Sequence, residues 1–343
     1  MSRRALLEST ASGLYCAAGD FYVDPWRPVP RAVLTHGHAD HARPGSRAYL
    51  AAASSLAILR SRLGAEASIE AVDYGDERVL DGVRVSLHPA GHILGSAQVR
   101  VEYRGEVWVV SGDFKDAADA SCEPFETVRC NVFITESTFG LPVYRWPEQR
   151  LVFDEIEKWW SENRRHGRPS VLFVYALGKA QRVLHAIDPG RGPLVGHGAV
   201  RVCNEAYAAG GVDLPPVRPP EELSSSEIES ALVLAPPSAQ GTPWMRRFPG
   251  AATAFASGWM RLRGPRRRRA VERGFVLSDH VDWPGLLAAV EATGAERIGV
   301  THGSASAVAR WFNDAGLEAW EVETPYDGEA TETEDGDHTE VAE

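Results

Sequence analysis

Cysteine is scarce in this chain. Cys16, Cys122, Cys130 and Cys203 are widely spaced and contain no C-x-x-C pair. A disulfide framework or a four-cysteine zinc site is therefore not expected, and free thiols in a reducing compartment, the cytoplasm, are. Long apolar runs are also missing. None approaches the roughly 20 residues that a membrane-spanning helix requires. The start, Met1 to Glu8, carries Arg3 and Arg4 but no apolar segment behind them, so no signal peptide is read. Internal repeats are absent too.

What is present is ordinary globular composition. The chain has 343 residues, of which 44% are hydrophobic and 24% charged, enough to bury a sizeable core and to exclude a disordered or fibrous protein. The formal charge of −11 is unevenly spread. Eight acids and no Lys or Arg fall in the last 17 residues, 327–343, and −11 becomes −3 once those eight are set aside. This segment reads as a disordered acidic tail. Arg261, Arg263 and Arg266 to Arg269 lie within nine positions, a local field suited to an anionic partner whatever the net charge.

Short Val- and Ile-rich runs bounded by turn residues predict strands at 32–35, 83–87, 98–101, 107–111 and 132–135, with a helix over 51–63. After Leu141 the character changes. A helix is predicted from Pro147 to about His166, then alternating strands and helices: strands at 171–175, 193–195, 231–235, 252–256 and 274–277, and a helix over 179–187. The prolines between 215 and 220 mark a loop. Such alternation favours an α/β domain with a mainly parallel sheet. A late strand is read at 298–301.

The strongest chemical signal is His36-Gly37-His38-Ala39-Asp40-His41, directly after a predicted strand. Imidazole nitrogens and a carboxylate so concentrated suit Zn²⁺, Mn²⁺ or Fe better than Ca²⁺. In an extended segment His36 and His38 project to one side, and Asp40 and His41 follow on a turn toward a second centre. A surface His-rich loop is the bland alternative. Further ligand candidates are dispersed: His92 after Gly91, Asp113 in Gly112-Asp113-Phe114, and His302 before Gly303, the last two at strand ends.

The first motif resembles the H-x-H-x-D-H signature of the metallo-β-lactamase superfamily, and the segments around His92 and Asp113 resemble its second and third metal motifs. Four later segments resemble elements of the β-CASP nucleases: Glu136-Ser137-Thr138-Phe139-Gly140, Ala176-Leu177-Gly178-Lys179-Ala180-Gln181, Ser278-Asp279-His280-Val281-Asp282 and Val300-Thr301-His302-Gly303. The resemblance runs over about residues 30–305 in the family's order. It implies an α/β fold, a metallo-β-lactamase αββα sandwich over 1–144 and 272–326, interrupted by a β-CASP domain over 145–271, with the acidic tail at 327–343.

The resemblance also implies roles. His36, His38 and His92 would bind one divalent metal, Asp40, His41 and His302 the other, and Asp113 would bridge them. Zinc is the expected metal, with manganese as an alternative. Water activated between the two would attack phosphorus, while His280, oriented by Glu136, protonates the leaving oxygen. Lys179, Ser257 and Arg261 are candidate substrate contacts, Lys179 because it opens a helix after Gly178. Trp259, beside Ser257, reads equally as a cleft or a core residue. His197 in His197-Gly198-Ala199-Val200 looks like a segment of the bacterial DNA-ligase-associated exonucleases, and it reads equally as a hydrogen-bonded structural histidine. His88, His166, His185 and His338 read as structural or surface residues.

The segments 35–45 and 236–239 resemble the same ligase-associated group, also described as putative mRNA 3′-end processing factors. The implied function is a DNA exonuclease working beside a ligase and a helicase, with an RNA-processing ribonuclease as the alternative. A small-molecule hydrolase would share His36 to His41 without needing Glu136, Lys179 and His280. A non-catalytic scaffold would have lost ligands, and here the whole expected set is present.

Overall fold

The computed structural model describes residues 5–262, 264 and 271–324. The acidic tail and Arg263 and Arg266 to Arg269 lie outside the described residues. The chain divides into two compact units, one of residues 5–143 and 279–324 and the other of 144–278.

The first unit holds two sheets. One is built from β1 (Glu8–Thr10), β2 (Gly13–Cys16), β3 (Phe21–Val23), β4 (Ala32–Val33), β5 (Tyr49–Ala52) and β6 (Ile69–Val72), in that order, antiparallel up to β3 and parallel beyond it. The other contains β7 (Arg78–Leu80), β8 (Val83–Pro89), β9 (Ala97–Tyr103), β10 (Glu106–Val110), β11 (Val132–Glu136), β17 (Arg297–Thr301) and β18 (Glu318–Glu321) in the order β18-β17-β11-β10-β9-β8-β7.

Alternation along these strands explains the layering. Val83, Val85 and Leu87 of β8 face inward with Val99, Val101, Trp108 and Ile134, and meet Phe21, Val23, Val33 and Leu50 of the first sheet in one core. The alternate residues Val109, Phe133, Ile298 and Val300 face the other way, against Leu286 and Val290 of α6 (Trp283–Thr293) and Val308 and Phe312 of α7 (Ala305–Asp314). The outer face of the first sheet is covered by α1 (Leu56–Leu63), where Leu59 packs on Ala32, Leu34 and Tyr49. The layers run helix, sheet, sheet, helix.

The helix expected over 51–63 begins later. Ala51 and Ala52 extend β5, pairing with Ala71 and Val72, and only residues from Leu56 are α-helical. Pairing to β6 overrides the helix preference of two alanines.

The second unit is a five-stranded, all-parallel sheet in the order β13 (Leu194–Gly196), β14 (Leu232–Ala235), β12 (Ser170–Phe173), β15 (Ala252–Ala256), β16 (Arg273–Phe275). β16 pairs with β15, so the sheet of this unit includes residues 273–275. Around the sheet lie α2 (Gln149–Arg165), α3 (Lys179–Ala186), α4 (Gly198–Ala209) and the single turn α5 (Ser225–Ile228). One sheet face packs on Ile156, Trp160, Val183 and Val200, and the other on Phe248 and Met260.

In the first unit β10, β11 and β17 run parallel, so Asp113, Glu136 and His302 emerge at one edge. β8 shares that direction, because it and β10 are both antiparallel to β9, and His92 follows it. Carboxyl ends of parallel strands are where α/β sheets collect ligands. Two glycines permit the crowding. A Cβ on Gly112, at φ +57°, would meet Thr35 Cβ at 2.6 Å, and one on Gly303, at φ +61°, would meet the Ser137 carbonyl at 2.4 Å. Gly303→Ala should therefore cost about 2–5 kcal/mol through left-handed strain plus overpacking, read as a lower urea midpoint. An unchanged midpoint would show that the His302 loop yields without cost.

Candidate metal centre

Every expected metal ligand falls in the first unit and in one place. His36, His38, His92 and Asp113 present ligand atoms all within 4.8 Å of one another, and Asp40, His41 and His302 form a second such group. In the first group His36 Nε2 is 3.0 Å from His38 Nδ1, and His92 Nε2 is 3.1 Å from that same atom. A tetrahedral set of zinc ligands has edges of roughly 3.3 Å, given bonds of about 2.0 Å. Asp113 Oδ2 lies 3.5 Å from His36 Nε2, 3.8 Å from His92 Nε2 and 3.5 Å from His41 Nε2. One carboxylate oxygen thus faces both groups.

The other ring nitrogens are held from behind. His92 Nδ1 donates to the Asp279 carbonyl at 2.9 Å, and His41 Nδ1 donates to Asp24 Oδ2 at 2.7 Å. His36 Nδ1 contacts Thr35 Oγ1 at 3.0 Å, and that hydroxyl donates to Asp24 at 2.5 Å. Such backing fixes the ring orientation and directs the remaining nitrogen inward. Asp24, just after β3 with φ +42°, thus supports His41 directly and His36 through Thr35, a placement that the sequence analysis missed. A lone acid after a short strand carries no spacing signal.

Electrostatics fit a cation. Burial, reinforced by neighbouring imidazoles, drives the His36 and His92 pKa values well down, leaving neutral rings with lone pairs available. His302 is pushed by burial to about 4. Burial pushes the Asp113 carboxyl up to about 8 against the pull of His41. Burial opposes a charge on His41, yet Asp40, Asp113 and Asp24 raise its pKa well above the ordinary value. The same charge opposes the burial of Asp40 and holds its carboxyl well below the ordinary range. His41 Nε2 is buried with no hydrogen-bond partner among the described residues, its nearest acidic oxygens being 3.4 Å away on Asp40 and 3.5 Å away on Asp113. A divalent ion in each group would satisfy that nitrogen and offset the crowded carboxylates.

His280 stands beside this centre, its ring centroid 4.7 Å from that of His92. Its Nδ1 lies 2.8 and 3.0 Å from the two Glu136 oxygens. Glu136 also accepts from the Phe114 amide at 2.9 Å. Burial disfavours the imidazolium, but Glu136 and then Asp113 more than reverse this and push His280 up to about 10. Glu136, against its own burial, is held ionised by His280. Lys115, buried and also missed from the sequence, reaches the His280 carbonyl at 3.5 Å.

The candidate substrate contacts belong to the second unit. Lys179 is 2% exposed and its ammonium sits 4.3 Å from the Tyr175 ring centroid, at the start of α3. Ser257 is buried and its Oγ accepts from the Trp259 amide at 3.3 Å. Trp259 is half-buried and packs edge-on against Tyr144. Arg261 is exposed. His197 caps α4, its Nδ1 accepting from the Ala199 amide at 3.2 Å, with its ring against Trp244. These contacts favour its structural reading. His88 bonds Ser86 and Glu126 away from the cluster.

No family model matches the sequence. The chain is 33% identical over 313 residues to a protein named "Probable DNA ligase" from Opitutus terrae, covering 90% of this chain and 30% of that one. It is 30% identical over 124 residues to an "RNase J-like protein" from Methanocaldococcus jannaschii, covering 35% of this chain and 30% of that one. The chain therefore spans under a third of the length of either relative. A crystal structure of a protein of unknown function from Enterococcus faecalis matches with a TM-score of 0.57 at 12% identity, over 87% of this chain and 80% of that one, a likeness of fold.

Asp24→Ala should lower divalent-metal affinity by about 10–100-fold, because His41 loses the partner that aims it. Competition with a chromogenic chelator measures this. Affinity equal to that of the parent protein would remove Asp24 from the centre's support.

Proposed function

We propose that this chain is a divalent-metal-dependent phosphodiesterase acting on nucleic acid, a β-CASP nuclease of the metallo-β-lactamase superfamily. On this reading the first unit is the metallo-β-lactamase domain and the second the inserted β-CASP domain. The observation that carries the proposal is a buried imidazole, His280, held by both oxygens of Glu136 directly beside a two-group His/Asp ligand set that shares Asp113.

His36, His38 and His92 would hold one cation and Asp40, His41 and His302 the other, with Asp113 between; zinc suits these donors, and manganese is the alternative. The bound ions would supply Lewis acidity, lowering the pKa of water and offsetting charge on the phosphoryl oxygens. The protein's own contribution is a proton. Glu136 keeps His280 charged at neutral pH and fixes its ring through Nδ1, leaving Nε2–H to protonate the departing ester oxygen. Without that proton an alkoxide would leave unaided.

DNA is the proposed substrate, cut from an end. The relative matched over most of this chain is named a DNA ligase, and joining strands requires prepared ends. A separate ligase and a helicase are the proposed partners. The RNase J-like relative favours a second reading, RNA processing, although it matches a smaller part of the chain.

End-labelled single strands of DNA and RNA, incubated with Zn²⁺ or Mn²⁺ and with Asp40→Ala as control, test the proposal. Stepwise shortening of DNA, absent in the control, is expected. Selective RNA cleavage would move the assignment to RNA processing, and cleavage of neither polymer by metal-loaded protein would reject a nuclease. His280→Ala should lose about 10²–10⁴ in rate while retaining its metal. Loss of metal in that variant would make His280 a ligand instead.

A further inference from the structure

The first unit contains a cavity of about 60 Å³ that none of these steps uses. Leu14 and Val23 wall it from one sheet, and Val110, Ile134 and Val322 from the other, with Trp26 at its side. Asp40, His41 and His302, the second ligand group, also line it. Resting on the nuclease reading, we infer that this cavity is a nucleoside pocket: it takes the base of the nucleotide that keeps the scissile phosphate.

Position argues first. None of His36, His38, His92 and His280 lines the cavity, and His280 packs instead against His92. The site therefore has two ends. The leaving oxygen must approach His280, so the nucleoside still esterified to phosphorus has the other end available. Chemistry argues next. Apart from the ligand group, the acidic groups at the cavity are Asp24, spent on His41 and Thr35, and Glu323 at the exposed rim. No Lys or Arg is among the lining residues to hold a second phosphate, and the walls are mainly apolar, which suits an uncharged ring. The volume suits one ring system, since it has room for on the order of five water molecules. Val23, Val110, Ile134 and Val322 are each at most 8% exposed, so the space between these walls is limited to about one base.

The apolar walls offer little to read a base edge, so the pocket accepts any base. Packing and stacking are sequence-tolerant in this way, because every base has a π face. This matches an enzyme that removes nucleotides in succession.

The test uses metal-loaded His280→Ala protein, which should bind without cutting, and calorimetry with dAMP, dTMP and inorganic phosphate. Both nucleotides should bind at least about tenfold tighter than phosphate, as expected for one base packed against apolar and aromatic walls, and within about threefold of each other. Leu14→Phe and Val322→Phe, placed separately in that background and each retaining metal, should erase the advantage over phosphate. Equal affinity for nucleotide and phosphate, or an advantage that survives both substitutions, would overturn the pocket. The two readings fail separately. Protein that shortens DNA yet binds nucleotide no better than phosphate keeps the nuclease and loses the pocket. Protein that binds nucleotide through the pocket yet cuts neither polymer keeps the pocket and loses the nuclease.

Discussion

One oxygen, Asp113 Oδ2, lies within 3.5–3.8 Å of ring nitrogens on His36, His92 and His41. Those histidines belong to both ligand groups, and the carboxyl sits where burial disfavours its charge. Burying ionisable groups together is costly unless each is paired or bound to a cation. Here acids and imidazoles are packed in one volume with their orienting hydrogen bonds directed outward, to Asp24, Thr35 and the Asp279 carbonyl. The inward atoms are left facing each other. That arrangement is poor as a self-contained core and sound as a ligand cage, and the surrounding fold is organised to maintain it.

The maintenance comes from strand direction. Asp24 and His36 follow two mutually parallel strands of one sheet, and Asp113, Glu136 and His302 follow three of the other. Each ligand is thus fixed by a ladder behind it and free to turn at its own strand end. The turns are tight. Asp24 and His302 both take positive φ, and Ser137 Oγ bonds the carbonyls of Thr301 and His302. Local strain of this kind persists only where neighbours over-determine the conformation. At His302 the strain and a ligand fall on the same residue, and at Asp24 the strain falls on the residue that backs His41.

The candidate ligands were legible in the sequence to the degree that they were adjacent. His36 to His41 declare themselves because four donors share six positions. His92, Asp113 and His302 each needed the order of motifs to be singled out. Asp24 and Lys115 had neither cue, since their roles rest on contacts, with His41 and with the His280 carbonyl, that the chain order does not show. The longer strands β8 to β11 were read because they alternate or run apolar, whereas β1, β2 and β3 span only three or four residues each, too short for a period to register. α6 and α7 were not read at all. The burial of Lys179 and its contact with Tyr175 likewise had no cue in the sequence.

His92 and His280 show what decides chemistry at this site. Their rings are 4.7 Å apart and both are buried. Burial acts on both in the same direction, against the charged form. His92 yields to it, its Nδ1 donating to a neutral carbonyl. His280 does not, because Nδ1 meets the Glu136 carboxylate and the ring stays protonated. Two identical side chains in contact are thus pushed into opposite protonation states, one suited to bind a cation and the other to give up a proton. The proposed assignment of acid and ligand rests on what stands behind each ring. Glu136, anchored by the Phe114 amide of the same segment that carries Asp113, ties that assignment to the placement of the shared carboxylate.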